Sequence, residues 1–314
     1  YDVGLGIPAE PLFRSRSYLT TPKLHVSVPT SLPEGAINAK FTITSTGKQV
    51  YFSKGNLQYQ ATTGTWRFAE HQGDIIGNDN SNISSSYSGW IDLFGWGTSG
   101  WNNGNLYYQP YDHSYSVDGN IGYGYGPTDG SNYYYDLSGN YANADWGVYN
   151  AISNGGDQPG LWRTLTAAEW SFIFTTRGTL SGIRFAKANV YGYGNGFILL
   201  PDNWDPSVYE LHDTNNANAE YTSNVIGEYG WSQMEANGAV FLPAAGFRNG
   251  MSVINPGSDY RYWSRSCDGT GHEPYARCMS PSGGVVANNR FVGCSVRLVH
   301  DEIEIGRASC RERV

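Results

Sequence analysis

Leu161-Trp162-Arg163-Thr164-Leu165-Thr166-Ala167-Ala168-Glu169-Trp170-Ser171-Phe172-Ile173-Phe174-Thr175-Thr176-Arg177-Gly178 carries both ends of a helix in its own residues. Thr166 and Glu169 have the spacing of a capping box, in which the threonine hydroxyl accepts the N3 amide and the glutamate reaches back to the N-cap amide. Leu165 before the cap and Trp170 one turn in form a hydrophobic staple, and Trp170, Ile173 and Phe174 share one helical face. Arg177 suits the negative end of the helix dipole, and Gly178 is placed to leave the helix in a left-handed conformation.

Outward from this helix the periodicity changes. Upstream, Asn143 is placed to cap a second helix, with Trp146, Tyr149 and Ile152 on one face and Asn154-Gly155-Gly156 as its end. Before that, Val50 with Phe52, Leu57 with Tyr59 and Trp66 with Phe68 alternate about two glycine-containing turns, which predicts a three-strand meander. Downstream, Ile183, Phe185 and Lys187 alternate into a glycine turn at 192–196, and Phe197 to Leu200 is an apolar strand stopped by Pro201. Ala239 to Leu242 repeats that pattern before Pro243, and strands are expected at 260–265, 275–280 and 294–299. Two helices with short, mostly antiparallel strands and long loops make an α+β protein.

Composition bounds the rest. With 40 Gly among 314 residues and only 15% charged, the chain is rich in loops and strands. The net charge of −8 and the lack of any Lys/Arg cluster argue against a nucleic-acid partner. No run of about 18 apolar residues is present to cross a membrane. Residues 1–34 are proline-rich and without period, and are read as a linker or the remnant of an upstream module. The start at Tyr1, with no leader, is read as a lost N-terminus that would have carried a signal or anchor. Residues 305–314 resemble the translation of a sequencing-adapter oligonucleotide, so 303–314 are set aside and the domain is expected over 35–302. Cys310 then drops out; Cys267, Cys278 and Cys294 allow at most one disulfide, with three pairings open.

Catalytic motifs are absent: there is no Gly-x-Ser-x-Gly elbow, no His-Glu-x-x-His and no phosphate loop. The histidines at 25, 71, 113, 212, 272 and 300 are scattered. Asp74, Asn78, Asp79, Asn80 and Asn82 offer oxygens to calcium, but the loop lacks the calcium-hand pattern and is read as an Asx-turn loop; no cofactor is assigned. The aromatic-glycine stretch 90–101 admits two readings: framework core, or sugar-stacking platforms at Trp90, Trp96 and Trp101. Residues 102–140 read as a long surface excursion.

Arg163 with Leu165-Thr166-Ala167-Ala168-Glu169-Trp170 resembles the helix start of formylglycine-generating-enzyme-like domains, a branch of the C-type lectin fold, with Thr164 where proline is usual. Trp90-Ile91-Asp92-Leu93-Phe94-Gly95-Trp96-Gly97-Thr98-Ser99-Gly100 is similar to a framework segment of bacterial surface proteins of that group. The oxidase members use a C-terminal cysteine pair. Here Val296 falls on the cysteine position of the closing motif and Cys294 on the preceding phenylalanine position, leaving Cys267 and Cys278 as the basis of an oxidase reading. Tyr262-Trp263-Ser264 and Asn288 to Val299 resemble the bracketing framework of variable regions in diversity-generating-retroelement target proteins, whose variation arises at adenines of mostly Asn codons. Of the 31 residues from Ser264 to Cys294, only Glu273 and Met279 cannot come from a codon ending in C, as that mechanism requires.

The resemblance implies a C-type-lectin-like domain at a bacterial cell exterior that binds a protein or glycan without turnover. The segment supplies Arg265, Asp268, His272 and Tyr275, and then Arg277, Asn288, Asn289 and Arg290, as candidate ligand-binding residues. Arginine and tyrosine are good anchors, and asparagine adapts its hydrogen bonding. A fixed carbohydrate-binding module is the alternative, and a formylglycine-type oxidase the third reading.

Overall fold

The computed structural model describes residues 31–102, 108–112, 135–268, 275–281 and 283–302. After β1 (Phe41–Thr42), which was not expected, the three alternating pairs become β2 (Gln49–Phe52), β3 (Leu57–Gln60) and β4 (Thr65–Phe68), followed by β5 (Trp90–Ile91). β1 pairs with β2, whereas β4, β3 and β5 form a separate antiparallel sheet. The expected meander is corrected accordingly: its three strands exist, but β2 and β3 do not pair. The end of the chain is the cause. The Ser53 amide donates to Leu298 O at 2.9 Å and the Leu57 amide to Val296 O at 2.9 Å, so the closing segment takes the hydrogen bonds of the β2–β3 connection.

A 3₁₀ stretch at Gly139–Ala144 leads into α1 (Trp146–Tyr149), a single turn. Asp145 caps it, not Asn143; its carboxylate accepts the Gly147 amide at 3.3 Å and the Thr164 amide at 3.0 Å. Ile152, expected on this helix, is buried beyond its end. α2 (Ala167–Thr175) has the capping box: Thr166 Oγ1 accepts the Glu169 amide at 3.0 Å, and Glu169 Oε2 accepts the Thr166 amide at 2.8 Å. Leu165, Trp170, Ile173 and Phe174 are all buried in one cluster, where each such side chain contributes about 1.5–3 kcal/mol.

The other end of α2 departs from expectation. Arg177 is buried and pairs with Asp202 at 3.1 Å, while Arg184 Nε donates to the Phe174 carbonyl at 2.7 Å. Gly178 stays out of the left-handed region.

β6 (Phe185–Val190) and β7 (Gly194–Leu199) form the expected hairpin, with Gly192 and Gly194 at φ 79° and 74° in its turn. β8 (Val225–Ile226) adds in parallel to β6, and after α3 (Glu228–Ala236) comes β9 (Val240–Pro243), antiparallel to β7. α3 exceeds the two helices expected. Its cap residue is Gly227, which lacks a capping side chain, and Gly230 interrupts its interior. That glycine is needed, because a Cβ there would lie 2.5 Å from the Tyr209 ring.

The hairpin β10 (Phe247–Asn249) and β11 (Ser252–Ile254) precedes an antiparallel sheet of β12 (Tyr262–Cys267), β13 (Tyr275–Met279) and β14 (Val285–Asn289). β14 was not expected. Residues 294–298, expected as strand, make single bridges, among them Phe94 to Cys294 and Tyr262 to Ser295. Only at β15 (Val299–Asp301) does a ladder form, and it pairs with β2.

The fold is thus α+β and mostly strand. The last sheet lies between two clusters. Trp263, Ala276 and Cys278 join Trp66, Phe94, Trp96, Trp146 and Trp162, whereas Tyr262 and Met279 join Trp170, Phe174 and Phe197. A third cluster gathers Trp204, Trp231, Met234 and Phe241. No helix among the described residues is long and apolar enough to cross a membrane. The calls on residues 1–30, 303–314 and most of the 102–140 excursion lie outside the described residues.

Candidate functional site

β13 alternates in burial: Tyr275 and Arg277 are partly exposed, and Ala276 and Cys278 are buried. Tyr275 stands opposite Asn289, and Arg277 opposite exposed Ala287. Directly paired residues share a face of a sheet, so these four form one patch. On the other edge the register shifts between Trp263 and Cys267, which pair with Cys278 and Ala276, and Ser264 to Ser266 bulge out.

The bulge is built rather than loose. Ser264 Oγ donates to Arg277 O at 2.7 Å and accepts the Ser266 amide at 3.2 Å. The Ala167 amide, at the start of α2, donates to Ser266 Oγ at 3.1 Å, and the Arg265 amide to Leu165 O at 2.8 Å. The N-terminal end of α2 therefore fixes the backbone from which partly exposed Arg265 projects.

The eight sequence candidates divide. Arg265, Tyr275, Arg277 and Asn289 are partly exposed on or beside the patch. Asp268, Asn288 and Arg290 are buried, a correction to their expected display. Asp268 accepts Arg277 Nη2 at 2.8 Å, and its amide donates to Tyr275 O at 3.1 Å, so the two ends of the β12–β13 connection are held together. Asn288 accepts from Arg261 at 3.4 Å and donates to Cys294 Sγ at 3.4 Å. Arg290 donates to Tyr275 O at 3.2 Å and lies 4.7 Å from the centre of the Trp96 ring. Asn288 points inward from β14, whereas Asp268 and Arg290 lie just past the ends of β12 and β14, and neither the register nor those strand ends can be read locally. His272 lies outside the described residues.

Residues beyond the candidates also matter. Ala287 and Val286 are exposed on β14, and the Val285-Val286 pair was the available strand signal. Arg261, over the Phe247 ring at 3.8 Å, had none.

Behind the patch stands the aromatic-glycine stretch. Trp96 is fully buried and its Nε1 donates to Ser264 O at 2.7 Å, while Trp263 Nε1 donates to Phe94 O at 2.7 Å. Trp90 is covered by the Arg67 guanidinium at 3.7 Å, and Trp101 meets Tyr108 edge-on at 5.3 Å. The stretch supports the sheet.

The three thiols are free, and Cys267 is partly exposed. Cys278 and Cys294 are buried, and burial followed by the neighbouring Cys278 thiol raises Cys294 well above an ordinary thiol. Cys267 is pushed up to about 11 by burial and then by Asp136. Nucleophilic cysteines need the opposite shift. In the 74–86 loop, Asp74 accepts the His71 amide at 2.9 Å, and Asn80 donates to Gly77 O at 3.0 Å and to Asp92 at 2.7 Å. Among the described residues no three His, Cys, Asp or Glu side chains gather as a metal site. Comparison with family models, with curated proteins and with solved structures finds no match.

Proposed function

We propose that the chain is a C-type-lectin-like, non-catalytic recognition domain whose β12–β14 sheet displays a variable ligand-binding face at a bacterial cell exterior. One observation carries the reading: Arg265, Tyr275, Arg277 and Asn289 are partly exposed, while Trp263, Ala276, Cys278 and Arg290 between and beside them are buried. Apart from Arg277, which pairs with buried Asp268, side chains can then change on one face without disturbing the packing that holds the backbone. A protein or glycan ligand would meet tyrosine and arginine anchors and an adaptable asparagine. The role is adhesion or recognition without turnover. The fixed-lectin alternative loses Trp96 as a stacking platform, and the burial of Cys278 and the raised Cys267 thiol give an oxidase reading little support.

The test is genetic. Sequencing the intact locus is expected to reveal a near-copy of codons 262–299 beside a reverse-transcriptase gene, differing only at adenines. The differing codons should coincide with the exposed positions. A complete locus without such a copy overturns the diversification, and one whose differences fall on Trp263 or Cys278 overturns the assignment of the face.

A further inference from the structure

A cleft of about 500 Å³ opens elsewhere in the molecule, lined by Asn38, Lys40, Gln49, Tyr51, Asp202, Asn203 and Asn237, with Ala39 and Ala236 as its aliphatic contribution. No residue of the β12–β14 sheet lines it. We propose that this cleft is a second, fixed binding site for a neutral saccharide, independent of the variable face.

The chemistry of the lining points there. Its two charges are already paired: Lys40 with Glu302, and Asp202 with Arg177 at 3.1 Å. Asp202 also accepts the Thr42 amide at 2.8 Å, Thr42 Oγ1 at 2.7 Å and Gln49 Nε2 at 2.9 Å. Neither charge is unpaired, and the aliphatic side chains of the lining are those of Ala39 and Ala236.

What remains is carboxamide. Asn38 and Asn203 are exposed and make no side-chain hydrogen bond to any described residue. Each offers donors and an acceptor side by side, the complement of vicinal hydroxyls. Tyr51 adds an aromatic ring, the usual partner of a sugar's apolar face. The volume suits a small ligand. The floor is rigid as well, because Asp202 ties β1, β2 and the loop after β7 together, its own amide donating to Lys40 O at 3.1 Å. A preformed site loses little entropy on binding.

Saturation-transfer NMR on the full chain tests this, with glucose, galactose, mannose and N-acetylglucosamine as neutral probes and glucuronate as the charged counterpart of glucose. At least one neutral sugar is expected to receive saturation at millimolar concentration, with glucuronate no better than glucose. The double variant Asn38→Ala/Asn203→Ala should weaken that binding about tenfold or more, since each lost hydrogen bond is a factor of about three to ten. Its thermal transition should stay where it was, both residues being exposed. If the double variant fails to fold, Asn203→Ala alone gives the same readout at about threefold. Transfer to none of the neutral sugars, binding unchanged by the substitutions, or preference for glucuronate would each overturn the assignment.

Discussion

Asp92 has no exposed surface, yet both contacts of its carboxylate treat it as an acceptor. The Ile76 amide reaches it at 2.9 Å and Asn80 Nδ2 at 2.7 Å, while Asn80 Oδ1 takes the Asp92 and Leu93 amides at 2.9 and 3.1 Å. Burial pushes its pKa up to about 6, with Asn80 and then Ile76 pulling it back. Because the folded value lies above the unfolded one, folding favours the protonated form. The resulting stabilisation is full below about pH 4 and is lost as pH rises through about 6. Asp92→Asn removes the titration and turns an NH₂ against a donor, so the native chain should be the more stable. Its advantage in urea unfolding should be larger at about pH 4 than at about pH 7, by on the order of 2 kcal/mol. A constant advantage, or one that grows toward neutrality, would refute the sign. Single residues such as this were the least legible in the sequence. Asp92 sits in an aromatic-glycine run that reads as core without showing how a carboxylate is tolerated there. Arg297 is equally opaque: it is fully buried and donates to the carbonyls of Ser53, Gln72 and Phe241, partners scattered along the chain. Burial lowers it to about 10, still charged at neutral pH.

At the scale of the element, α2 joins local signals to distant ones through one carboxylate. Glu169 closes the capping box and also accepts Arg163 Nη1 at 2.8 Å and Nη2 at 2.9 Å. Arg163 in turn holds Asp301 of β15, Nη2 to Oδ1 at 2.8 Å. Burial disfavours the Arg163 charge, but Glu169 and Asp301 outweigh it and hold the guanidinium above its ordinary value. Thr166→Ala removes one cap bond and should cost about 1 kcal/mol. Glu169→Ala should cost more, by about 1.5–3 kcal/mol, since it also breaks charge-assisted bonds in a partly buried site. Equal shifts in the two denaturation midpoints would show that the cap does not anchor the closing strand. The N-terminal end of this helix was legible because its determinants lie within a few residues of one another. Its C-terminal end was not, because the cation that reaches the last turn is Arg184, the residue before β6, and not Arg177. Strand pairing failed for the same reason on a larger scale. The partner of Phe52 is Val299, and nothing local to either residue names the other.

For the whole molecule, the proposed function demands that stability and display belong to different side chains. The β12–β14 sheet sits between two buried clusters, and the arrangement has a measurable consequence. A saturation scan of 262–294 read by protease resistance should separate two classes. Tyr275, Ala287 and Asn289 should accept most residues within about 0.5 kcal/mol. Trp263, Ala276 and Cys278 should not: removing the indole leaves a cavity worth about 3–5 kcal/mol, and enlarging either small residue overpacks the core by about 1–3 kcal/mol. Arg290 joins the second class, being fully buried against Trp96. Arg277 should fall between, since Asp268 at 7% exposure loses a cation when it is replaced. That intermediate rank is informative. A freely diversified position should not anchor a buried carboxylate, so Arg277 should tolerate lysine better than aspartate, whereas Tyr275 and Asn289 should show no charge preference. If tolerance follows none of these lines and is uniform along β13, then the sheet is an ordinary closing element and a variable face has no scaffold to stand on.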